Sequence, residues 1–512
     1  MTGFLTHKRI IYKAVKGEMA VFSEHELHGR RVILSSVDEI NSDNIIDVLQ
    51  KAMLVHLQNK ADIDYLYNYY KGDQPILRRV KEIRPDIVNN IVVNRANEIV
   101  SFKVGYQFGI PMQYTASRMV DNIPKDIEKL NNLMSYENKA KKDKDLGEWQ
   151  MICGTGYRIV LPDDVVSDEE DEAPFELNVL EPNSTFVIYS SKIGRKPLAG
   201  VTFWKDDDFT GSADSKVAPL GGYVIAVYTP KWYYEIKAGK ISIEPKANTL
   251  GMIPIVEYPL NNARLGAFEV VVDILNAISE VESNRLDGLE QFIQSFIKFI
   301  NCDMDEEEYD RFLEKGAIKV YSHEGANADV DMISSELSQT ETQTYIDDLY
   351  NTVLTICGVP SQGNANTSDS SNNGAMIVKN GWSSAEGRAK DAEVMFEASE
   401  REALKIVLKI LRDKNVLNLK VSDVEMKFPR RNYEDIQSKV QALVSMLGNE
   451  KIHPKDAYAH CGLFTDPETA YENGIEWYTK QMSEWNVEDV GDEDKNDVSR
   501  SGQATEGDTE RP

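Results

Sequence analysis

The sequence predicts an α+β fold, in which a region of short strands is followed by long helices. Residues 156–245 contain short runs rich in β-branched and aromatic side chains, separated by Gly, Pro and Asp clusters, a pattern typical of antiparallel strands. Residues 267–292, 336–357 and 374–412 each carry an apolar stripe at helical spacing. The first of these helices alone is expected to span roughly 39 Å at 1.5 Å per residue.

The N-terminal part is predicted to be mainly helical. Ile46, Leu49, Met53 and Leu57 recur at three- and four-residue spacing, which predicts a helix from about residue 42 to residue 70. Lys71-Gly72-Asp73 then breaks the pattern. The elements predicted after this break are a helix over 89–102, a strand over 104–115 and helix over 121–152.

The remaining predicted elements lie in the strand-rich region and in the second half of the chain. Five runs in the strand-rich region are predicted as strands: Tyr157–Leu161, Thr185–Tyr189, Val201–Trp204, Tyr223–Tyr228 and Trp232–Ile236. Between the first two long helices, two strands (Phe296–Asn301 and Ala317–Tyr321) flank a predicted acidic helix near residues 305–313. Residues 433–480 are predicted as two or three further helices, and the acidic residues 483–512 as a disordered tail.

Composition excludes several classes of protein. The 512 residues include 84 acids against 57 bases, a net charge of −27, which argues against a protein that coats DNA by neutralising its phosphates. No stretch approaches about 20 uninterrupted apolar residues, and the N-terminus lacks the apolar segment of a secretory signal, so we expect no membrane association. The four cysteines lie far apart and form neither a zinc pattern nor a disulfide framework.

The motifs of the common enzymes are missing. The sequence contains no G-x-x-x-x-G-K-[ST] and no G-x-G-x-x-G, so no nucleotide or dinucleotide site is expected. The seven histidines are scattered, and no catalytic residue, metal site or cofactor is predicted. Asp206–Asp208 leaves one alternative open, a metal-dependent nuclease, although acidic residues are also common in turns.

Two of the long helices have a strong bias toward negative charge. Together 267–292 and 336–357 carry ten acids against the single base Arg285. A solvated helix face explains such a bias, and so does a negatively charged wall past which a polyanion moves without being trapped. The candidate wall acids are Glu280, Glu282, Asp287, Glu290, Glu341, Asp347 and Asp348.

A polar loop joins the second long helix to the third. Residues 358–373, GVPSQGNANTSDSSNN, contain Val359 as their one large apolar side chain. Sixteen residues is long for a plain helix connection, and loops of this length inside compact regions are often functional. Lys379, near the start of the following helix, is a candidate phosphate contact, although a solvated lysine explains it equally well.

Several stretches, in order along the chain, resemble the portal proteins of tailed bacteriophages, particularly the SPP1-type group. Leu66–Arg79 and Asn89–Tyr114 resemble the opening signature of that family. Leu250–Asn262 resembles its passage from wing to stem, and Cys357–Pro360 its Gly-Val-Pro turn before the tunnel loop. Asn373–Leu411 resembles the long helix after that loop. The resemblance covers about residues 45–480.

The resemblance implies a portal fold with a mixed α/β wing, long stem helices, a small α/β clip and a helical crown. It implies the following division of the chain: N-terminal segment 1–45, wing 46–260, first stem helix 261–292, clip 293–335, second stem helix 336–357, tunnel loop 358–373, long wing/channel helix 374–412, crown 413–482 and acidic tail 483–512.

The resemblance also implies a structural protein of the virion rather than an enzyme. Twelve subunits would form a ring at one capsid vertex, assembled in the host cytoplasm, through which double-stranded DNA enters and leaves without sequence readout. The implied partners are terminase, the major capsid and scaffolding proteins, and the head-completion or adaptor proteins. The residues expected to contact DNA from the tunnel loop are Gly358, Val359, Pro360, Gln362, Asn364, Asn366, Ser370, Asn372 and Asn373. The clip acids expected near the docked terminase are Asp305, Glu306, Glu307 and Glu308.

Two other functions stay open at this point. One is another structural or scaffold protein of the virion, which would lack a central channel. The other is a DNA-processing enzyme that uses Asp206–Asp208 to hold a metal ion.

Overall fold

A computed structural model gives the fold. It describes residues 29–81, 85–117, 122–163, 172–207, 219–293, 296–300, 329–333, 339–360, 381–429, 436–464 and 466–488. The described residues up to 429 belong to one compact unit, and those from 436 onward to a second, smaller unit. The protein mixes helix and sheet, as the sequence predicts.

Among the described residues of the first unit, four helices precede a run of consecutive strands and three follow it, and the described elements of the second unit are helices. The bounds of the helices are α1 Ile45–Lys71, α2 Arg95–Phe108, α3 Ile123–Tyr136, α4 Lys139–Cys153, α5 Val272–Ile293, α6 Gln339–Cys357, α7 Trp382–Asp413, α8 Ile436–Leu447, α9 Pro454–Cys461 and α10 Pro467–Glu488. None of these helices has both the length and the apolar composition that a bilayer span requires.

The strands form a larger sheet and several small ones. Their bounds are β1 Ile33–Ser35, β2 Gln113–Ala116, β3 Thr155–Pro162, β4 Phe175–Leu180, β5 Thr185–Ser190, β6 Pro197–Lys205, β7 Tyr223–Tyr228, β8 Trp232–Lys237, β9 Lys240–Ile241, β10 Lys246–Ala247, β11 Ile255–Pro259, β12 Phe296–Ile300, β13 Asp329–Ile333 and β14 Val424–Lys427. The five predicted strand runs are confirmed, and they pair antiparallel within their sheets.

The larger sheet has the order β1-β5-β6-β7-β8-β10, and β9 also pairs with β8. The pairing of β1 with β5 is parallel. A second sheet has the order β11-β3-β4, and β2 pairs with β14 from far along the chain.

Helix α1 connects two hydrophobic cores of the first unit. Leu49 and Met53 pack on the face of the larger sheet. Leu66 and Tyr69, four to five turns later, belong to the main core with α2–α7, β3 and β11. At 27 residues this helix is roughly 40 Å long, so one rigid element connects the sheet to the helices.

Two predictions for the N-terminal part are wrong in detail. The helix predicted from residue 89 begins at Arg95, because residues 89–94 are extended along another helix. The strand predicted from residue 104 begins at Gln113, because Val104 and Phe108 lie on the buried face of α2. The helical prediction for residues 121–152 is confirmed by two helices, α3 and α4, which are separated at Asn138, whose φ is +52°.

In the second half of the chain the predicted long helices are confirmed, but their ends differ from the predicted ones. Residues 267–292 form a short 3₁₀ turn and then α5, and 336–357 contain α6. The strand predicted at 296–301 is β12, but its partner is β13 at Asp329–Ile333. The predicted strand at 317–321 and the acidic helix near 305–313 lie outside the described residues.

The segment after α7 packs with the first unit. Leu417, Leu419, Val424 and Met426 are buried in its main core, and β14 pairs with β2. The second unit consists of α8, α9 and α10, in which α9 packs against both other helices. The prediction of two or three helices over 433–480 is confirmed. The predicted disordered tail is wrong at its start, because α10 continues to Glu488, six residues past position 482.

Candidate functional site

Helices α5 and α6 pack against each other and display most of their described acids to solvent. Glu280, Glu341, Asp347 and Asp348 are exposed, and Glu282 and Glu290 are half-buried. Arg285, the single base of the pair, donates from Nη1 to Oε1 of Gln343 across the helix interface at 2.8 Å. Gln343 in turn donates to Asp347 at 2.8 Å. The exposed surface of the pair therefore remains negatively charged.

Asp287 does not belong to this surface. It is 3% exposed and accepts hydrogen bonds from Lys81 at 2.8 Å and from the backbone and side chain of Asn89 at 2.8 and 3.0 Å. Arg79 lies 3.3 Å from the same carboxylate. Burial alone would raise the pKa of Asp287, but the hydrogen bonds from Lys81 and Asn89 outweigh it, and the pKa is lowered. The prediction of a wall acid at this position is therefore corrected, because its charge is neutralised inside the subunit.

The same face of α5 holds an extended segment, residues 87–94, through a ladder of side chains. Ser279, Ser283 and Asp287 follow one another at four-residue spacing, so they line one face of the helix. Ser279 Oγ accepts from the Val93 N–H at 3.3 Å, and Ser283 Oγ accepts from the Ile91 N–H at 2.9 Å. Asp287 accepts from the Asn89 N–H, as above. Alternate amides of an extended strand point the same way, which is why every second residue is bound.

The C-terminus of α6 is a tight, buried turn. Gly358 has φ +67° and donates to the Thr355 carbonyl at 3.2 Å, while Val359 donates to the Leu354 carbonyl at 2.9 Å. A Cβ on Gly358 would lie 2.2 Å from Cδ of Arg388. Val359 is buried, so its side chain anchors the start of the predicted tunnel loop instead of contacting DNA. Burial raises the pKa of the adjacent Cys357 thiol to about 11, which keeps it neutral.

A cleft of about 400 Å³ opens beside this turn. It is lined by α2, the segment 260–270, the end of α6 and the start of α7, which lie far apart in the sequence. Lys103 and Arg388 both line it, as does the acid Asp391. Burial and the nearby Arg388 lower the pKa of Lys103. Sequence reasoning missed these two cations, because no local pattern places α2 next to α7.

A buried charged cluster fixes the middle of α7. Glu400 accepts from Arg158 at 2.8 Å, from the hydroxyls of Tyr114 and Tyr258 at 2.7 Å each, and lies 3.2 Å from Lys139. Asp143 accepts from both Lys139 and Arg158. Burial alone would raise the pKa of Glu400, but Lys139 and Arg158 outweigh it and lower the pKa to about 2. Two acids and two bases thus join α4, β3 and α7.

Several sequence-predicted residues lie outside the described residues: Gln362, Asn364, Asn366, Ser370, Asn372, Asn373, Lys379, Asp305, Glu306, Glu307, Glu308 and Asp208. Asp206 of the aspartate triplet is buried, and its carboxylate lies 3.0 Å from Lys237. Across the described ranges no three His, Cys, Asp or Glu side chains are grouped as metal ligands would be.

Comparison with known proteins identifies a family. A family model described as "Phage portal protein, SPP1 Gp6-like" matches residues 54–494, most of the chain. No protein with a curated description matches the sequence.

Solved structures give distant matches to neck particles. One, "Neck of native GTA particle computed with C12 symmetry", has 13% sequence identity and a TM-score of 0.41, and the match covers 73% of this chain and 91% of that one. Another, "Neck of empty GTA particle computed with C6 symmetry", has 12% identity and a TM-score of 0.40, with coverage of 72% and 90%. The assignment of the chain therefore depends on the family model.

Proposed function

The chain belongs to the family of SPP1 Gp6-like phage portal proteins, and from this premise we propose how its parts serve a DNA channel. Members of this family are structural proteins that form a ring at a vertex of the phage capsid, so the chain is a ring-forming component of the virion. We propose a ring of twelve subunits, assembled in the host cytoplasm, with double-stranded DNA passing through its centre during packaging and ejection.

The exposed acids of α5 and α6 carry the proposal for the channel wall. Six of the seven predicted acids are exposed or half-buried, and the one base between the helices is engaged with Gln343. These negatively charged side chains repel the phosphate backbone of DNA, so the DNA does not bind to the wall and its passage is not stalled. Because the same helix pair recurs in every subunit, a small effect per subunit acts many times on one DNA.

A channel wall also needs helices that are held in a fixed position. The ladder of Ser279, Ser283 and Asp287 holds α5 in this way. Exposed acids on a mobile helix would give a channel of variable width. The extended segment 87–94 instead binds α5 along two of its turns, on the face that is withdrawn from solvent. We propose that this segment holds the first stem helix against the wing.

The tunnel loop is proposed over residues 361–373, directly after the anchored turn at Gly358-Val359-Pro360. Its polar composition suits contacts with DNA that carry no sequence readout. Lys379 is retained as a candidate phosphate contact. Lys103 and Arg388 line the cleft beside Gly358, just before the proposed loop begins. A DNA phosphate near that end of the loop would therefore meet two positively charged side chains.

The remaining divisions are also proposals. The wing would occupy 46–260 and the clip 293–335, with terminase and later the head-completion proteins docking near Asp305, Glu306, Glu307 and Glu308. The crown would comprise the second unit, from residue 436 onward, because residues 413–429 pack in the first unit. Major capsid and scaffolding proteins would contact the ring from the capsid shell. No catalytic role is proposed.

Reversal of charge on the wall tests the channel assignment. The variant Glu280→Lys/Asp347→Lys/Asp348→Lys is expected to assemble rings but to yield few DNA-filled heads, because its lysines would bind the phosphates. Glu128→Lys, an exposed acid on α3, is the matched control. Nuclease-protected DNA per head gives the readout, together with ring mass. Wild-type packaging by the triple variant would refute the wall assignment.

Deletion of residues 361–373 tests the loop separately. Rings are expected to assemble, because the deleted residues begin after the buried turn, and packaging is expected to fail. Normal DNA-filled heads from this variant would favour a virion protein without a channel role.

A further inference from the structure

The second unit is a short array of three helices. The middle helix, α9, has eight residues, or roughly 12 Å, while α10 has 22, or roughly 33 Å. Tyr458 of α9 packs on Tyr471 of α10, with ring centroids 5.6 Å apart. On the other side, Lys439 of α8 donates to the Gly462 carbonyl at 3.1 Å. Because α10 is much longer than α9, its C-terminal half extends past the helix that covers its beginning.

An apolar stripe runs from the covered part of α10 into this overhang. Tyr471, Ile475, Tyr478 and Met482 are spaced by four, three and four residues, which is the spacing of a helix seam. Tyr471 is covered by α9, whereas the other three are 46–57% exposed. The stripe therefore begins as a packed seam and continues without a described partner.

Helix α8 carries a second exposed stripe. Val440, Val444 and Leu447 are spaced by four and three residues and are 43–63% exposed. Both exposed stripes extend over eight residue positions, or roughly 10 Å, and both follow the 3.5-residue period that permits knobs-into-holes packing. One small unit thus exposes two different apolar surfaces of equal length on its two outer helices.

We propose that the α8 stripe of one subunit packs against the α10 overhang of the next subunit around the ring. The inference rests on the ring of the proposed function. A closed ring uses a head-to-tail interface, in which each subunit contributes two different surfaces, one to each neighbour. Two copies of a single stripe would instead form an isolated dimer.

The charges of the two helices fit this pairing. Helix α8 carries Lys439 as its sole charged residue and no acid, while α10 carries five glutamates against Lys480. The acidic helix therefore meets no like charge on the surface that it covers. Two copies of α10 facing each other would bring ten glutamates together, which argues against pairing of like helices.

Thiol cross-linking tests the contact directly. In a Cys302→Ser background, Val444→Cys/Tyr478→Cys is oxidised within purified rings, and Val444→Cys and Tyr478→Cys alone are the controls. Cys153, Cys357 and Cys461 are buried, so the added thiols are the reactive ones. We expect a ladder of covalent multimers from the double variant only. A ring of normal mass that gives no ladder, or an internal cross-link within one subunit, would overturn the contact while leaving the portal assignment intact. A parent protein that forms no ring would instead contradict the proposed function.

If the added cysteines disturb assembly, two variants that place opposite charges at Val444 provide a second test. Val444→Glu and Val444→Lys both place a charge in the stripe, but the facing helix is acidic. The ratio of rings to free subunits is expected to fall further for Val444→Glu, by about tenfold at low salt. Ser445→Glu, exposed on another face of α8, should leave the ratio unchanged. Equal ring loss in the two Val444 variants, or loss in neither, would refute the pairing.

Discussion

The substitution Asp287→Asn tests most directly how helix α5 is attached to the segment 79–94. The carboxylate is 3% exposed and accepts from Lys81 and Asn89, with Arg79 3.3 Å away. Asparagine keeps the shape and one acceptor oxygen but removes the charge. Two bases of the segment 79–89 then lose their counter-ion in a site that is largely closed to solvent.

The magnitude follows from burial. Breaking a fully buried ion pair costs about 3–5 kcal/mol, because the remaining charge stays desolvated. The Lys81 side chain is 24% exposed and recovers part of its hydration, which lowers the expected loss to about 2–4 kcal/mol. If the segment opens locally, this corresponds to an increase of about 30- to 1,000-fold in its opening constant.

Amide hydrogen exchange measures that opening. The amides of Asn89, Ile91 and Val93 are bound to α5 and should exchange slowly in the parent and much faster in the variant. Urea unfolding at one fixed subunit concentration gives the accompanying loss of stability. Glu280→Gln, on the exposed face of the same helix, is the control. Unchanged exchange at Asn89 in Asp287→Asn, or an equal change in the control, would refute the ladder as the attachment of α5.

Three further predictions follow from other buried groups. Glu400→Gln removes the charge that Lys139 and Arg158 share, and it should lower the unfolding free energy by about 3 kcal/mol in urea titration, whereas Glu402→Gln on the exposed face should change little. His56 is buried, and burial lowers its pKa to about 4. The folded state therefore binds a proton at this imidazole less readily than the unfolded state does. About 3 kcal/mol of stability should be lost as pH falls from 6.5 to 4. His56→Gln, which keeps a donor for the Asn183 carbonyl, should flatten that pH dependence, and an unchanged profile would contradict the assignment. Gly358→Ala must hold φ +67° and displace Arg388, so its thermal midpoint should fall by an amount equivalent to about 1–2 kcal/mol, and an unaltered midpoint would show that the turn relaxes freely.

Local patterns were enough to predict most elements of the fold. The strand runs from Tyr157 to Ile236 follow from their β-branched and aromatic composition between Gly, Pro and Asp clusters. The helices α5, α6 and α7 follow from a period of about 3.6 residues, because that period reports which side chains share a face. The prediction failed where one segment had to lie on another. Residues 89–94 carry a helical pattern but are extended, since their amides bind side chains of α5 almost 200 positions away. Val104 and Phe108 resemble strand residues but fill the buried face of α2.

The sequence alone determined the acidic character of α5 and α6, the polar composition of the connecting loop and the absence of nucleotide motifs, since charge and motif spacing are properties of the chain. Only the tertiary structure decided which acids remain available. Asp287 and Glu280 are both acids of α5, yet the first is neutralised by Lys81 and the second is exposed. The cations at the base of the loop and the cluster around Glu400 were equally invisible, because their members come from different elements. A helical stripe defines relative faces, but the segment that covers a face is chosen by long-range packing, which no local pattern encodes.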